Sequence, residues 1–296
     1  MNDIRFSELK KIIKRKSPDS NKGTNGTLTI VAGSERYRGA AALSVLAAER
    51  CGVGIVRLAS VEKVVSSVSV LCPEAVFLPL SEGRDGGISA SDFDGKLKNI
   101  ASSRALLVGC GMGNSIDTNK IVTSLLYNCD VPLIIDADGL NSIKDFPEIL
   151  LKAKQIPIIT PHIGEFSRLS GLSVDTIKKD RLSVARDFAE KYNTIVVLKD
   201  SVSTVVTPNG DKFICDKPNP ALAKGGSGDV LSGIISSFAA QGYNSFEAAL
   251  CGVSLHSLAA ELGEREFTEF SMLPSDIIKY IPAVFSGIFK EGFDKI

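Results

Sequence analysis

Hydrophobic residues occur along the chain in short, β-branched runs that alternate with longer amphipathic stretches. The runs are residues 27–33, 54–60, 105–111, 132–139, 156–161 and 194–200. The stretches with helical spacing are residues 40–52, 119–128 and 174–192. Strand alternating with helix predicts an α/β fold, with a central, mostly parallel sheet and helices on both faces. The continuous apolar runs agree with strands that are buried on both sides.

The pattern changes near residue 203. Residues 203–216, "STVVTPNGDKFICD", form two strand-like runs around Asn209 and Gly210, which predicts a β-hairpin. A glycine-rich stretch and two further helical segments, 230–241 and 245–263, follow. Because no linker, repeat or low-complexity tract interrupts the sequence, we expect a single domain over residues 1–296.

Charge and composition exclude several classes of protein. Lys and Arg total 34, as do Asp and Glu, so the net charge favours neither nucleic acid nor an anionic membrane. No run of ~18 apolar residues could cross a bilayer, and the N-terminus lacks the apolar core of a signal peptide. We therefore expect a cytoplasmic protein. The basic run at 10–16 predicts the solvated face of a short N-terminal helix.

The six cysteines are scattered without a CxxC pair, and the chain has two histidines. A zinc site requires clustered Cys or His side chains. This distribution instead predicts buried free thiols in a reducing compartment.

The stretch "GGSGD" at residues 225–229 directly precedes an apolar helical segment. Glycines let the backbone approach a ligand closely, and a helix start offers unpaired N–H groups and partial positive charge. The stretch therefore predicts an anion site, most naturally for phosphate. Asp229 at its edge suits phosphoryl transfer, where a carboxylate accepts the proton of the attacking hydroxyl. The alternative is that Ser227 or Asp229 only caps the helix.

Two other phosphate-binding motifs are excluded. No G-x-x-x-x-G-K-[ST] motif occurs in the chain. The stretch "GCGMG" at 109–113 departs from G-x-G-x-x-G, which weakens a Rossmann interpretation.

Residues 21–60, "NKGTNGTLTIVAGSERYRGAAALSVLAAERCGVGIVRLAS", resemble the opening of the ADP- or ATP-dependent (S)-NAD(P)H-hydrate dehydratases. The likeness covers nearly the whole chain. It continues through "CPEAVF" (72–77), "LLVGCGMG" (106–113), "LIIDADGLN" (133–141), "ITPHIGEFSRLSG" (159–171), "VVLKD" (196–200), "GGSGDVLSG" (225–233), "AALCGVSLHSLAAE" (248–261) and "LPSDIIKYIP" (273–282).

This resemblance implies a ribokinase-like fold with the active site at the carboxyl edge of the sheet. It also implies a repair reaction on hydrated NADH or NADPH. The nucleotide, ADP or ATP with Mg²⁺, phosphorylates the C6 hydroxyl, and phosphate then leaves as the ring double bond re-forms. The family further suggests a homotetramer. Because this chain lacks the epimerase domain often fused to the family, a separate epimerase is expected.

The resemblance also assigns residues. Asp229 stands at the position of the catalytic base. The positions that contact the nucleotide are Lys199, Ser203, Gly226, Ser227 and Gly228. The positions that contact the hydrated dinucleotide are Ala40, Gly113, His162 and Asp229. Without the surrounding motifs, Lys199 would be interpreted as an exposed strand end, Ala40 as helix packing, and His162 as a turn residue bonded to a carbonyl.

Some neighbouring residues are less defined. Asp138 and Asn141 end a strand at the expected edge of the sheet, and Glu165 is a candidate to hold Mg²⁺ through water. The metal ligands remain open. His256 lies among apolar residues of a helical segment, which favours a packing role.

The chain departs from the family pattern at four positions. Ile163 replaces a proline, which predicts a less rigid turn. Asp200 replaces a glycine and adds negative charge near the nucleotide phosphates. Lys224 replaces a small residue and either contacts phosphate or is solvated, and Cys110 replaces a proline.

Two alternative functions share the same glycine stretch. One is a kinase of the same fold that phosphorylates a thiazole or pyridine alcohol, since a fold does not fix a function. The other is a silent nucleotide-binding protein. Release of free phosphate together with NADH would distinguish the dehydratase from both.

Overall fold

The computed structural model describes residues 3–289 and contains one nine-stranded sheet. The strands are β1 Thr27–Val31, β2 Ile55–Val61, β3 Val76–Leu80, β4 Ala105–Val108, β5 Leu133–Ile135, β6 Ile158–Ile159, β7 Ile195–Leu198, β8 Ser203–Val206 and β9 Lys212–Cys215. Their order is β3-β2-β1-β4-β5-β6-β7-β8-β9. The first seven strands in this order run parallel, whereas β8 and β9 pair antiparallel. The predicted α/β class is confirmed.

Twelve α-helices lie within residues 3–289. They are α1 Ile4–Ile12, α2 Arg38–Arg50, α3 Glu62–Val68, α4 Ala90–Ile100, α5 Ile116–Asn128, α6 Asp138–Ser142, α7 Ile163–Ser170, α8 Val174–Lys179, α9 Arg181–Tyr192, α10 Ser227–Ala240, α11 Ser245–Glu266 and α12 Pro274–Phe289. Every residue of β4, β5, β6 and β7 is buried. Both faces of the central sheet are therefore covered, as continuous apolar strands require.

Two helix predictions were wrong in part. The helix predicted over 174–192 is divided at Asp180, whose φ of −142° and ψ of 64° end α8, and whose carboxylate accepts the N–H of Ser183 to begin α9. The helix predicted to carry the basic run ends at Ile12. Arg15 and Lys16 lie beyond it and donate to backbone carbonyls elsewhere in the chain.

Two other predictions are confirmed. β8 and β9 form the hairpin expected around Gly210, which has φ +90°. All six cysteines are free and buried. No helix in the described part of the chain is long and apolar enough to cross a membrane.

Helix α10 is held against α2 by a close backbone contact. A Cβ added at Gly233 would lie 2.4 Å from the Ser44 carbonyl oxygen, so only glycine permits this approach. The contact brings α10 close to α2, and α10 begins at Ser227, at the edge where the parallel strands end. Residues that follow β4, β5, β6 and β7 meet the start of α10 at that edge.

Candidate active site

A cavity of about 770 Å³ opens at the carboxyl edge of the sheet. Seven of the predicted site residues line it: His162, Lys199, Ser203, Gly226, Ser227, Gly228 and Asp229. They come from the ends of β6 and β7, the start of β8 and the start of α10. The position agrees with the rule that open α/β sheets bind ligands beyond the carboxyl ends of their strands.

The glycine stretch forms the start of α10. Gly226 is the N-cap, with φ +103° and no side-chain cap bond, so neither Ser227 nor Asp229 caps the helix. The N–H of Ser227 donates to Lys224 and that of Val230 donates to Gly226. Within the described residues, the N–H groups of Gly228 and Asp229 have no backbone acceptor. Two free amides at a helix start constitute an anion site.

Asp229 lies in the first turn of α10 beside these amides. Burial, and next the negative charge of Asp136, raise the pKa of Asp229 to about 6. A helix start by itself stabilises an ionised carboxylate, but burial outweighs that effect on the pKa of Asp229. A carboxyl with this pKa is a base suited to near-neutral pH.

Asp136, at the end of β5, organises the inner wall of the cavity and was not identified from the sequence. It is 1% exposed and accepts hydrogen bonds from Lys199 Nζ at 2.8 Å and from Ser232 Oγ at 2.6 Å. Ala137 has φ 49°, and this turn separates Asp136, directed at Lys199, from Asp138, directed at the N–H of Gly113. The sequence signal that could have identified Asp136 is its position as an acidic residue directly after a buried strand.

Lys199 is therefore not an exposed strand end. Its side chain is 17% exposed and pairs with Asp136. Burial lowers the pKa of Lys199, but Asp136 and Glu165 outweigh burial and raise it. A Cβ added at Gly228 would lie 3.1 Å from Lys199 Nζ. The ammonium is thus beside the glycine stretch, where both can hold a phosphate.

His162 is the N-cap of α7. Its Nδ1 accepts the N–H of Gly164 at 3.0 Å, and the carboxylate of Glu165 accepts the N–H of His162 at 2.9 Å. Burial, and next the charge of Lys199, lower the pKa of His162. Because Nδ1 accepts, the proton of the neutral ring lies on Nε2 and is available as a donor. The histidine binds backbone N–H groups, not the carbonyl that a simple turn role suggested.

Ala40 and Gly113 lie outside the cavity wall. Gly113 has φ +84° and donates its N–H to Asp138 at 2.8 Å. Ala40, in the first turn of α2, contacts the loop after β4, where a Cβ added at Gly111 would lie 2.8 Å from its methyl group. Asn141 accepts a hydrogen bond from Arg168 at 3.0 Å.

The departures from the family pattern have local explanations. Ile163 is buried at the first position of α7, and the capping box of His162 and Glu165 holds the turn. Asp200 pairs with Arg181, which neutralises its charge. Lys224 was expected to contact phosphate or solvent, but its Nζ donates to the carbonyls of Phe270 at 2.7 Å and Met272 at 2.6 Å.

Cys110 completes a group with Asp136 and Asp229, whose ligand atoms all lie within 4.8 Å of one another. Burial, and next the charge of Asp229, raise the pKa of the Cys110 thiol well above its usual value. The protonated thiol lies 3.8 Å from Asp136, whose oxygens already bind Lys199 and Ser232. Cys110 and Asp136 therefore already take part in internal hydrogen bonds.

Comparison with known proteins adds independent information. A family model described as NAD(P)H-hydrate dehydratase matches residues 28–283. A bifunctional NAD(P)H-hydrate repair enzyme of Thermofilum pendens is 33% identical over 279 residues, 94% of this chain and 53% of that protein. The ADP-dependent (S)-NAD(P)H-hydrate dehydratase of Bacillus subtilis is 32% identical over 272 residues, 92% of this chain and 93% of that protein. This chain thus spans about half the length of the bifunctional relative.

The fold agrees with these sequence matches. The crystal structure of the ADP/ATP-dependent NAD(P)H-hydrate dehydratase from Bacillus subtilis, co-crystallised with ATP and Mg²⁺, superposes with a TM-score of 0.83 at 30% identity. The superposition covers 96% of this chain and 97% of that one. A family match over most of the chain and a similar structure lead to one conclusion: the chain belongs to the NAD(P)H-hydrate dehydratase family.

Proposed function

We propose that the protein is an ADP- or ATP-dependent dehydratase that converts the S-epimer of hydrated NADH or NADPH back to the reduced dinucleotide. The observation that carries the proposal is the position of Asp229, whose pKa is raised to about 6, in the first turn of α10 with two free amides and with the Lys199 ammonium beside Gly228. A base and a phosphate site therefore lie in the same cavity. Membership of the family indicates the substrate, which is hydrated NADH or NADPH.

Asp229 acts first, as the base on the C6 hydroxyl. It takes the hydroxyl proton while the oxygen attacks the terminal phosphoryl group, and the shortened nucleotide leaves. In the second step the C6–O bond breaks and phosphate departs with its electron pair. A proton leaves the neighbouring ring carbon, so the double bond re-forms. The balance is one nucleotide split into a shorter nucleotide and phosphate for each water removed.

Lys199 and the glycine stretch hold the phosphoryl group during this transfer. The amides of Gly228 and Asp229 face the cavity as fixed donors, and the ammonium of Lys199 adds a positive charge beside them. Donors that are already oriented stabilise developing charge without reorganisation. Ser203, at the start of β8, lines the same wall and is assigned to the nucleotide.

His162, Ala40 and Gly113 are assigned to the hydrated dinucleotide. The His162 side chain is 55% exposed at the cavity, and its Nε2, which lies 3.5 Å from Glu165 Oε1, is the ring atom that would donate to substrate. Ala40 and Gly113 lie beyond the cavity wall, near the loop after β4. We assign both, by their positions in the family motifs, to the part of the dinucleotide that lies outside the cavity.

Mg²⁺ would accompany the nucleotide and neutralise phosphate charge. Glu165 lines the cavity and uses its Oε2 for the His162 N–H. Its Oε1 lies 3.5 Å from His162 Nε2. One carboxylate oxygen at the cavity fits a water-mediated contact with Mg²⁺, an ion that prefers oxygen ligands and keeps several waters. No other ligand is assigned.

The decisive experiment is an absorbance assay with purified protein, Mg²⁺, hydrated NADH and either ADP or ATP. Growth of the reduced-nicotinamide band that depends on nucleotide, with release of phosphate, is the expected result. A phosphorylated product without phosphate release would instead support the vitamin-type kinase. Nucleotide binding with neither product would support a silent protein.

We also propose that residues 1–296 act as one domain and assemble as a homotetramer. Large exposed apolar side chains, including Val70 at 80% and Phe270 at 83%, offer surface for association. Light scattering should give about four times the chain mass of 31.5 kDa. A monomeric mass would contradict the assembly. A cytoplasmic location stays a prediction for cell fractionation.

A further inference from the structure

The turn that joins β7 to β8 forms part of the cavity wall next to the phosphate site. Asp200, Ser201 and Ser203 line the cavity there, and Asp200 directly follows Lys199 in the chain. The ammonium of Lys199 lies beside the glycine stretch. Asp200 is therefore the next cavity-lining side chain along the chain after the group that we assign to phosphate.

Arg181, the first residue of α9, holds this turn from outside the cavity wall. One nitrogen of its guanidinium donates to the carbonyl oxygen of Val202 at 3.0 Å, and another donates to Oδ2 of Asp200. A guanidinium presents its donors in a fixed, planar arrangement, so two bonds to one turn hold its backbone and its side chain together. Asp200 is thus oriented in the protein alone.

The position of Arg181 is unfavourable apart from these two bonds. The dipole of a helix disfavours a positive charge in the first turn, where Arg181 lies. Its Nε is buried and has no hydrogen-bond partner within residues 3–289, which also costs free energy. The bonds to Asp200 and Val202 are the interactions that offset this cost.

Asp200 has one carboxylate oxygen that is not used within the protein. Oδ2 accepts from Arg181, whereas Oδ1 has no hydrogen-bond partner in the part of the chain that the structure describes. The side chain is 30% exposed at the cavity. An ionised carboxylate can only accept hydrogen bonds, so Oδ1 requires a ligand that carries a donor. The pairing with Arg181 offsets the negative charge that would otherwise repel a nucleotide.

A nucleotide offers few donors to such an oxygen. Its phosphate oxygens are acceptors and carry negative charge, so they do not bind a carboxylate. The donors of ADP and ATP are the ribose hydroxyls and the amine of adenine. The hydroxyls lie nearer to the phosphates than the amine does, and Asp200 is adjacent to Lys199. Carboxylates bind ribose hydroxyls in other nucleotide-binding folds.

We propose that Asp200, oriented by Arg181, accepts a hydrogen bond from a ribose hydroxyl of the nucleotide and makes the site selective for ribonucleotides. The inference rests on the proposed function, because it requires the terminal phosphate of ADP or ATP to lie at the glycine stretch. The glycine usual at this position in the family has no side chain. The contact is therefore a property of this chain.

The test measures the binding of ADP and of its 2′,3′-dideoxy analogue by calorimetry. The wild type should bind ADP about tenfold more tightly, the effect of one hydrogen bond to a charged group. Asp200→Ala should bring the ratio of the two affinities close to one by weakening ADP alone. Arg181→Met should lower the ratio as well, because Asp200 is then no longer oriented. Asp92→Asn, which breaks an ion pair of similar exposure outside the cavity, should leave the ratio unchanged.

Three results would overturn the proposal. The first is equal binding of the two nucleotides by the wild type, or an unchanged ratio in Asp200→Ala. The second is an equal loss of both affinities in Asp200→Ala with a lower melting temperature, since the pair would then only hold the turn. Inosine diphosphate lacks the adenine amine, so the third is a changed ratio of ADP to inosine diphosphate affinity with an unchanged dideoxy ratio. Nucleotide binding without dehydration of hydrated NADH would refute the proposed function instead, and this test would still be decided.

Discussion

Lys199 Nζ lies 2.8 Å from Asp136 Oδ1, although β6 separates the two strands that carry these residues. Asp136 is 1% exposed, and Ser232 Oγ satisfies its second oxygen. The pair fixes the ammonium at the cavity and sets a negative charge near the Asp229 carboxyl. This one ion pair therefore affects both the position of the Lys199 ammonium and the electrostatics of the cavity.

Removing one member of this pair should destabilise the protein more than removing both. Lys199→Met leaves Asp136 buried and unpaired, and should lower the free energy of unfolding by about 3–5 kcal/mol. The double variant Lys199→Met with Asp136→Asn should recover much of that stability, since no buried charge remains. Both variants should bind nucleotide more weakly than the wild type, because each lacks the Lys199 ammonium. Denaturant unfolding and calorimetry measure the two effects, and a strictly additive double variant would contradict the coupling.

Asp229→Asn should lower turnover by a factor on the order of 10²–10⁴ and leave nucleotide binding nearly intact, because the amide cannot accept the hydroxyl proton. Asp211→Asn, in the exposed β8–β9 turn outside the cavity, is the matched control. Steady-state turnover and nucleotide titration measure the two quantities. Equal turnover of the variant and wild type would refute the assignment of the base.

The rate should depend on pH through Asp229. A base works as its ionised form, and the pKa of Asp229 is raised to about 6, so kcat/KM should fall by about tenfold per unit below pH 6. Burial is the main cause of the raised pKa and Asp136 the second. Asp136→Asn should therefore move the acidic limb only partly toward the usual aspartate value. An acidic limb unmoved in this variant would show that Asp136 has no influence.

His162 should combine two separable roles. His162→Asn keeps a side chain that caps helices well but loses the Nε2 donor, so stability should hold while the KM for hydrated dinucleotide rises about tenfold. His162→Ala loses the cap as well and should cost about 1 kcal/mol in addition. Thermal unfolding measures the capping role of His162. Kinetics in which each substrate is varied in turn measure its role in binding substrate. Equal KM values in all three proteins would remove His162 from the substrate site.

Lys224 should act on stability and not on the nucleotide. Lys224→Thr, which introduces a small side chain, loses the bonds to the carbonyls of Phe270 and Met272 and should cost about 1–2 kcal/mol of the free energy of unfolding. The KM for nucleotide should stay within about twofold, since an effect well under 1 kcal/mol is expected where no contact is lost. Lys224→Met serves as a control for side-chain packing. A large rise in nucleotide KM would show that the ammonium reaches phosphate after all.

The sequence predicted the parts of the site that depend on local chemistry. Glycines before an apolar helix indicate an anion site wherever the helix packs, so Gly226 and Asp229 were identified without the fold. Lys199 was assigned by its motif, but its partner was not. The pairing of Lys199 with Asp136 depends on the order of β5, β6 and β7, which no spacing along the chain encodes.

His256 and Lys224 show the same limit for side chains. Apolar neighbours place His256 in a helix interior, but only the packing of α11 shows that this residue lines the cavity. Lys224 has a long, flexible side chain, and its carbonyl partners lie more than forty residues later in the chain. How far a side chain reaches, and in which direction, depends on the tertiary structure.

The contact of Gly233 with Ser44 has a consequence for how the protein is made. Helix α10 lies in the last quarter of residues 1–296 and must pack on α2. Because α2 is translated earlier, it is present before α10 can pack on it. A growing chain therefore displays the loops assigned to the dinucleotide before it can hold a phosphoryl group. The glycine stretch proposed to hold the phosphoryl group is therefore positioned only after α10 has packed on α2.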